Sequence, residues 1–138
     1  MARLVWHGKD ITEKVVKAAK LGIDQTLAQC VLRAKGLVPV KTSALQGSIQ
    51  MRAAERTSYG ARGEWGSYNI KYAIFVETGT DPHMIYPRNK KALYWPGASH
   101  PVKSVRHPGT KAQPFLVPAA REEYPKLGDR IKENYRRG

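Results

Sequence analysis

The sequence predicts an α+β fold: a long N-terminal helix and a C-terminal helix packed on a small, mainly antiparallel β-sheet, with an extended basic hairpin arm. Three observations carry this expectation. Apolar residues recur every three or four positions over about residues 10–35, and again after Pro114. Between those stretches the pattern shortens to alternation and to brief apolar runs bounded by Gly and Pro. The chain has 138 residues, the size of one ordinary domain, so 1–138 reads as a single domain with 81–113 as a hairpin or loop arm.

The elements follow in order. Leu4-Val5-Trp6 suits an edge strand. Asp10 reads as a helix N-cap, with Glu13 at capping-box spacing and Asp in place of the usual Ser or Thr. Ile11, Val15, Ala19, Ile23, Leu27, Val31 and Ala34 then form one apolar stripe. Gly22 interrupts it at a cost of about 1 kcal/mol relative to Ala, which points to the close approach of another backbone. Gly36 ends the helix as a C′ residue, and Pro39 keeps Val38 extended. Thr42 or Ser43 caps a short turn into a strand through Ile49, Met51 and Ala53, whose alternation leaves one wet face. Gly60, Gly63 and Gly66 suit a hairpin or a mobile loop, and as a G-x-x-G-x-x-G run they read better as a loop.

Residues 72–80 are the most apolar short run. Length alone leaves them open between a buried strand and two helical turns closed by Gly79. The short helix is favoured, with Tyr72, Phe75 and Val76 facing inward. Asp81-Pro82 is a turn signal. Ile85-Tyr86-Pro87 and Ala92-Leu93-Tyr94-Trp95 flank Arg88-Asn89-Lys90-Lys91, which predicts a β-hairpin with a basic tip. Residues 103–107 suit a returning strand before a turn at Pro108-Gly109. The final stripe is Leu116, Ala120, Tyr124, Leu127, Ile131 and Tyr135, kinked or split by Pro125 and Gly128, with a frayed tail.

The chain carries 24 Lys and Arg against 11 Asp and Glu, a net charge of +13. The excess is densest at 81–113, with 6 basic residues and 1 acidic. Such a surface attracts polyanions, either nucleic acid or an acidic protein face. Cys30 is the only cysteine, so an internal disulfide and a Cys-based zinc site are excluded. It lies beside the apolar stripe and reads as a packed thiol. No stretch reaches the length of a membrane span. The N-terminus lacks the apolar core of a signal peptide, so synthesis in the cytosol is expected.

No catalytic, cofactor or metal site emerges. His7, His83, His100 and His107 lack zinc-ligand spacing, and three of them read as turn or strand-end residues near proline. No G-x-S-x-G elbow or P-loop exists, and the carboxylates are dispersed. Arg88, Lys90, Lys91, Lys103, Arg106 and Lys111 interleave with Tyr86, Tyr94 and Trp95. This is a composition for a nucleic-acid groove, or for a hairpin whose rings pack inward and whose cations are solvated.

Three segments in order carry a resemblance. They are Pro39-Val40-Lys41-Thr42-Ser43-Ala44-Leu45-Gln46-Gly47-Ser48-Ile49, Tyr72-Ala73-Ile74-Phe75-Val76-Glu77-Thr78-Gly79-Thr80, and Gln113-Pro114-Phe115-Leu116-Val117-Pro118-Ala119. With the N-terminal helix they resemble the tail-completion and head–tail joining proteins of long-tailed bacteriophages. Ser43 stands where that family has Gly, and Gln46 where a basic residue is common. The stretch 85–110 looks like an insertion found in part of the family. The resemblance implies a non-enzymatic virion protein assembled in the host cytoplasm, forming a ring, six-fold by analogy, in the neck. Its neighbours would be head-completion or adaptor proteins and the tail terminator or tube, with genome DNA passing through the lumen. Phe115 and Leu116 are then expected as core anchors. Glu77 and Thr80, with Tyr72, Val76 and Gly79, would hold the turn. Arg88, Lys90, Lys91, Trp95, Lys103 and Arg106 would contact a partner or DNA. The competing readings are a stand-alone basic nucleic-acid-binding module and a small nuclease using His83, His100 or His107.

Overall fold

The computed structural model describes residues 2–5, 7–39 and 43–138, and the chain is α+β. It divides into two compact units, Met1–Lys71 with Pro114–Gly138, and Tyr72–Gln113. The first unit holds helix α1 (Gly8–Leu37), the short helix α2 (Ser43–Ser48), strands β1 (Ile49–Thr57) and β2 (Gly60–Ser67), and a C-terminal helical pair. That pair is α4 (Leu116–Glu123) and α5 (Leu127–Arg137), joined by a 3-10 turn at Tyr124–Lys126. The second unit holds α3 (Ala73–Thr78) and strands β3 (His83–Ile85) and β4 (Val105–His107). No helix among the described residues is long and apolar enough to cross a membrane.

The long N-terminal helix forms, and its buried face overlaps the expected apolar stripe only in part: Leu27 and Ala34 are buried and Ala19, Ile23 and Val31 partly covered, but the most buried line runs through smaller residues. Ala18, Gly22, Thr26, Cys30 and Ala34 are buried at four-residue intervals, with Leu27 beside them. Ile11 and Val15 are half-exposed. The cause is close packing: small side chains let neighbouring elements approach the α1 backbone. A Cβ added at Gly22 would stand 2.6 Å from Ile131 Cγ1 and 3.1 Å from the Ile131 backbone nitrogen. The expected close approach at Gly22 is therefore the crossing of α5.

Both expected ends of α1 shift. The helix starts at Gly8 with His7 in the N-cap position, and no side chain caps it. Asp10 lies inside the first turn. Glu13 does not serve a capping box, because its carboxylate pairs with Arg56 of β1 at 2.5 Å. That guanidinium holds the Glu13 carboxyl below the ordinary carboxylate range. At the other end Gly36 stays helical and Val38 is the C-cap. Leu4 and Val5 are exposed and lie in no strand; Trp6 falls outside the described residues.

The first segment of the resemblance, running through α2 into β1, supplies much of the core. Leu45 and Ile49 are fully buried. The Ser48 hydroxyl donates to the Leu45 carbonyl and shares a hydrogen bond with Ser67. The Tyr68 N–H donates to the Ser48 carbonyl. Thr42 lies outside the described residues, so its capping role does too. β1 and β2 form an antiparallel hairpin from Ile49↔Ser67 to Thr57↔Gly60, irregular between Arg52 and Glu55. The bulge corrects the expected alternation: Ala53 is exposed and Ala54 is buried, its N–H donating to Asp24 Oδ1 of α1 at 2.7 Å. The glycine run is a strand, not a free loop. A Cβ on Gly63 would stand 2.8 Å from both Ile23 and Leu27, so the bare backbone lets β2 lie on α1.

Pro125 splits the last helical stretch as expected. The buried positions are Phe115, Ala119 and Glu123, one residue out of phase with the stripe read from apolar residues. Burial of Phe115 contributes roughly 2–3 kcal/mol, while Leu116 is only partly covered. Glu123 is a carboxylate inside the core. Arg33 Nε lies 3.3 Å from it, Arg130 Nη2 3.2 Å and Lys126 Nζ 3.5 Å. Arg130 also donates to the Thr26 hydroxyl at 3.1 Å. Burial pushes the Glu123 carboxyl up, but Arg130, Arg33 and Lys126 outweigh it and hold it below the ordinary range. Cys30 is fully buried, and burial followed by the Glu123 charge pushes its thiol up, as suits a packed, unreactive side chain. The tail is not frayed: α5 runs to Arg137, and Lys14 of α1 sits 4.4 Å from the Tyr135 ring centre.

Two outcomes follow from this packing. Gly22→Ala gains helix propensity but drives Ile131 away, so urea unfolding should show a net loss of about 1–2 kcal/mol. Glu123→Gln should cost about 3 kcal/mol at neutral pH by leaving arginines unpaired. Its folded value lies below the ordinary 4.5. Its stabilisation is therefore complete above that pH and disappears as pH falls through the lower, folded value. Stability measured across that acid window should fall more steeply for the native chain than for Glu123→Gln.

Candidate partner-binding surface

The second unit starts where the apolar run 72–80 folds as α3. The two helical turns form as favoured, closed by Gly79 at φ 73°. Their orientation is corrected. Ala73 is buried, while Tyr72, Ile74 and Phe75 are exposed and Val76 is partly covered. Of the six residues of α3 only Ala73 is buried. Val76 still holds the fold of the unit, because its carbonyl accepts from the Gln113 N–H at 2.8 Å. Glu77 is partly covered.

Thr80 anchors the base of the arm. Its N–H and carbonyl exchange hydrogen bonds with Thr110 at 3.0 and 3.1 Å, and the two hydroxyls meet at 3.0 Å. Gly79 and Gly109 flank this bridge, and both have positive φ. A Cβ at Gly79 would stand 2.6 Å from the Thr110 carbonyl oxygen, and one at Gly109 would overlap the Thr80 carbonyl oxygen. Glycine is required at both by conformation and by space.

Beyond the base, β3 and β4 pair antiparallel as His83↔His107, Met84↔Arg106 and Ile85↔Val105. The His83 and His107 rings stack with centres 5.0 Å apart. His83 Nδ1–H donates to the Asp81 carbonyl, and His107 Nδ1 accepts from the Gly109 N–H. Further out, Leu93 and Val102 exchange backbone hydrogen bonds, and a turn through Pro96-Gly97 is closed by Ala98 N–H to the Trp95 carbonyl. This corrects the expected hairpin. Residues 85–87 do not pair with 92–95, and Arg88-Asn89-Lys90-Lys91 is not the tip but part of the outgoing side. Prolines set the pairing: Pro82 and Pro87 bracket β3, while Pro101 and Pro108 bracket β4, so no long ladder can form.

Arg88, Lys90, Lys91, Lys103 and Arg106 are all exposed, and Trp95 is 44% exposed. None of these cations, nor Lys111, forms an ion pair with the described residues. The structure thus gathers the predicted contact residues on one ribbon. The same unit also exposes the apolar side chains of Ile74, Phe75 and Met84, of which the sequence predicts Phe75 to face inward. Ala73 is the only buried residue from 72 to 113. Among the described residues no three His, Cys, Asp or Glu side chains group as a metal would need. The stacked His83 and His107 are not joined by His100, which bonds Ser99.

Comparison of the chain with protein-family models, with curated proteins and with solved structures finds no match. The functional reading therefore stands on the surface itself. A direct check of the arm's base is Gly109→Ala, where a side chain at positive φ meets the Thr80 carbonyl. The Thr80 and Thr110 amides should then exchange with solvent at least about tenfold faster, measured by hydrogen exchange.

Proposed function

We propose that this chain is a structural, non-enzymatic subunit of a ring in the neck of a tailed bacteriophage, where the tail joins the head. The observation that carries the reading is the second unit. Between residues 72 and 113 one residue is buried, while Tyr72, Ile74, Phe75, Met84, Tyr86 and Tyr94 stand exposed. A segment that hides so little of its apolar surface is completed by neighbours. A subunit of a closed ring has such neighbours on both sides, through two different faces.

The three segments that resemble the joining proteins support the same reading through their physical roles. Leu45, Ser48 and Ile49 are buried, Gly79 and Thr80 close the base of the arm, and Phe115 and Ala119 are buried. These are residues a shared fold would need, and the exposed α3 face remains to meet other proteins. By analogy the ring is six-fold and lies between head-completion proteins and the tail terminator or tube.

The test is electron cryo-microscopy of purified phage particles that carry this chain's gene. Density at the head–tail junction that accepts α1, the β1–β2 hairpin and the α4–α5 pair in a closed ring is the expected result. Absence of the chain from the purified particles, judged also by mass spectrometry, would overturn the reading.

A further inference from the structure

We infer that the arm, residues 83–107, grips duplex DNA through its phosphates, with the Trp95-Pro96 apex as a small apolar wedge. The inference concerns the arm alone and stands apart from the neck reading. The arm is a two-stranded ribbon closed by the β3–β4 pair, the Leu93–Val102 bridge and the Pro96-Gly97 turn. A DNA groove admits a ribbon of this width. Cations occupy both sides of it: Arg88, Lys90 and Lys91 on the outgoing side, Lys103 and Arg106 on the return. The one carboxylate from 81 to 113, Asp81, sits below β3, so the ribbon itself is purely cationic.

Unpaired, exposed cations of this kind suit phosphates spaced along a backbone. Lysine is depleted at the centre of protein–protein interfaces, whereas phosphate contacts use it freely. At the apex Trp95, Pro96 and Gly97 are exposed. Apolar side chains at the end of a ribbon can wedge between base steps. Contacts are to the backbone, so no sequence preference is expected.

The experiment uses the full chain and a fluorescein-labelled 20-base-pair duplex of mixed sequence, read by fluorescence anisotropy. Five phosphate contacts give a salt slope of about −4.5, a weakening of roughly 500-fold between 50 and 200 mM NaCl. The variant R88Q/K90Q/K91Q/K103Q/R106Q should bind at least about 100-fold more weakly at 50 mM. The equal-charge variant K9Q/K14Q/K17Q/K20Q/K35Q on α1 should lose less than about tenfold. A smaller variant, R88Q/K90Q/K91Q, should reduce the slope by about 2.7, and W95A should weaken binding about tenfold. Circular dichroism confirms that each variant is folded. Equal losses from the arm and α1 variants would overturn the inference in favour of diffuse net charge. Tighter binding to a single-stranded dT 20-mer would overturn it in favour of base stacking. Binding of poly-glutamate without binding of duplex would overturn it in favour of an acidic protein partner.

Discussion

The body of this protein depends on one buried carboxylate. Glu123 closes α4 and is almost wholly inaccessible, and Arg33 from α1, Lys126 from the 3-10 turn and Arg130 from α5 converge on it. A charge in that position is tolerable only when paired and hydrogen-bonded. Satisfying it fixes where the chain must turn after α4 and which face of α5 returns to α1. The small-residue stripe of α1 makes that return possible. Gly22 admits the Ile131 backbone, and Thr26 relays the network by accepting from Arg130 and donating to the Gly22 carbonyl. The charge cluster and the close helix crossing therefore require each other.

The same helix also receives the β-hairpin, again through absence of bulk. Gly63 brings β2 against Ile23 and Leu27, and the bulge near Ala54 presents an N–H to Asp24. Surface charges then add registration more than stability. Arg52–Glu64 and Arg62–Glu55 join the two strands at exposed positions, where solvent screens such pairs and they contribute little.

The second unit is organised on opposite terms. Backbone hydrogen bonds, two obligatory glycines and one pair of stacked histidines hold it, with almost no apolar core. Local opening of such a segment is expected to be easier than of the body. Its exposed α3 face and its cationic ribbon differ in chemistry, apolar against charged. That difference is why a protein neighbour is assigned to the first and DNA to the second.

The sequence by itself determined the element types, because periodicity and proline act locally. The long first helix, the short helix favoured at 72–80 and the break at Pro125 were legible, whereas the glycine run, open between hairpin and loop, became strand β2 only through its packing on α1. Also legible was the concentration of positive charge at 81–113, which is a matter of composition. What only the tertiary structure decided was which face of each helix turns inward. In α1 and α4 the buried positions are those that permit close approach or join the charge network, such as Gly22, Cys30, Ala119 and Glu123, and no hydrophobicity pattern ranks them first. The pairing inside the arm was likewise hidden. Prolines tell where a ladder stops but not which strand it stops against, so β3 meeting β4 across the nineteen residues between them had to come from the fold. Thr80 facing Thr110 belongs to the same class: a long-range hydrogen bond leaves no trace in the neighbours of either residue.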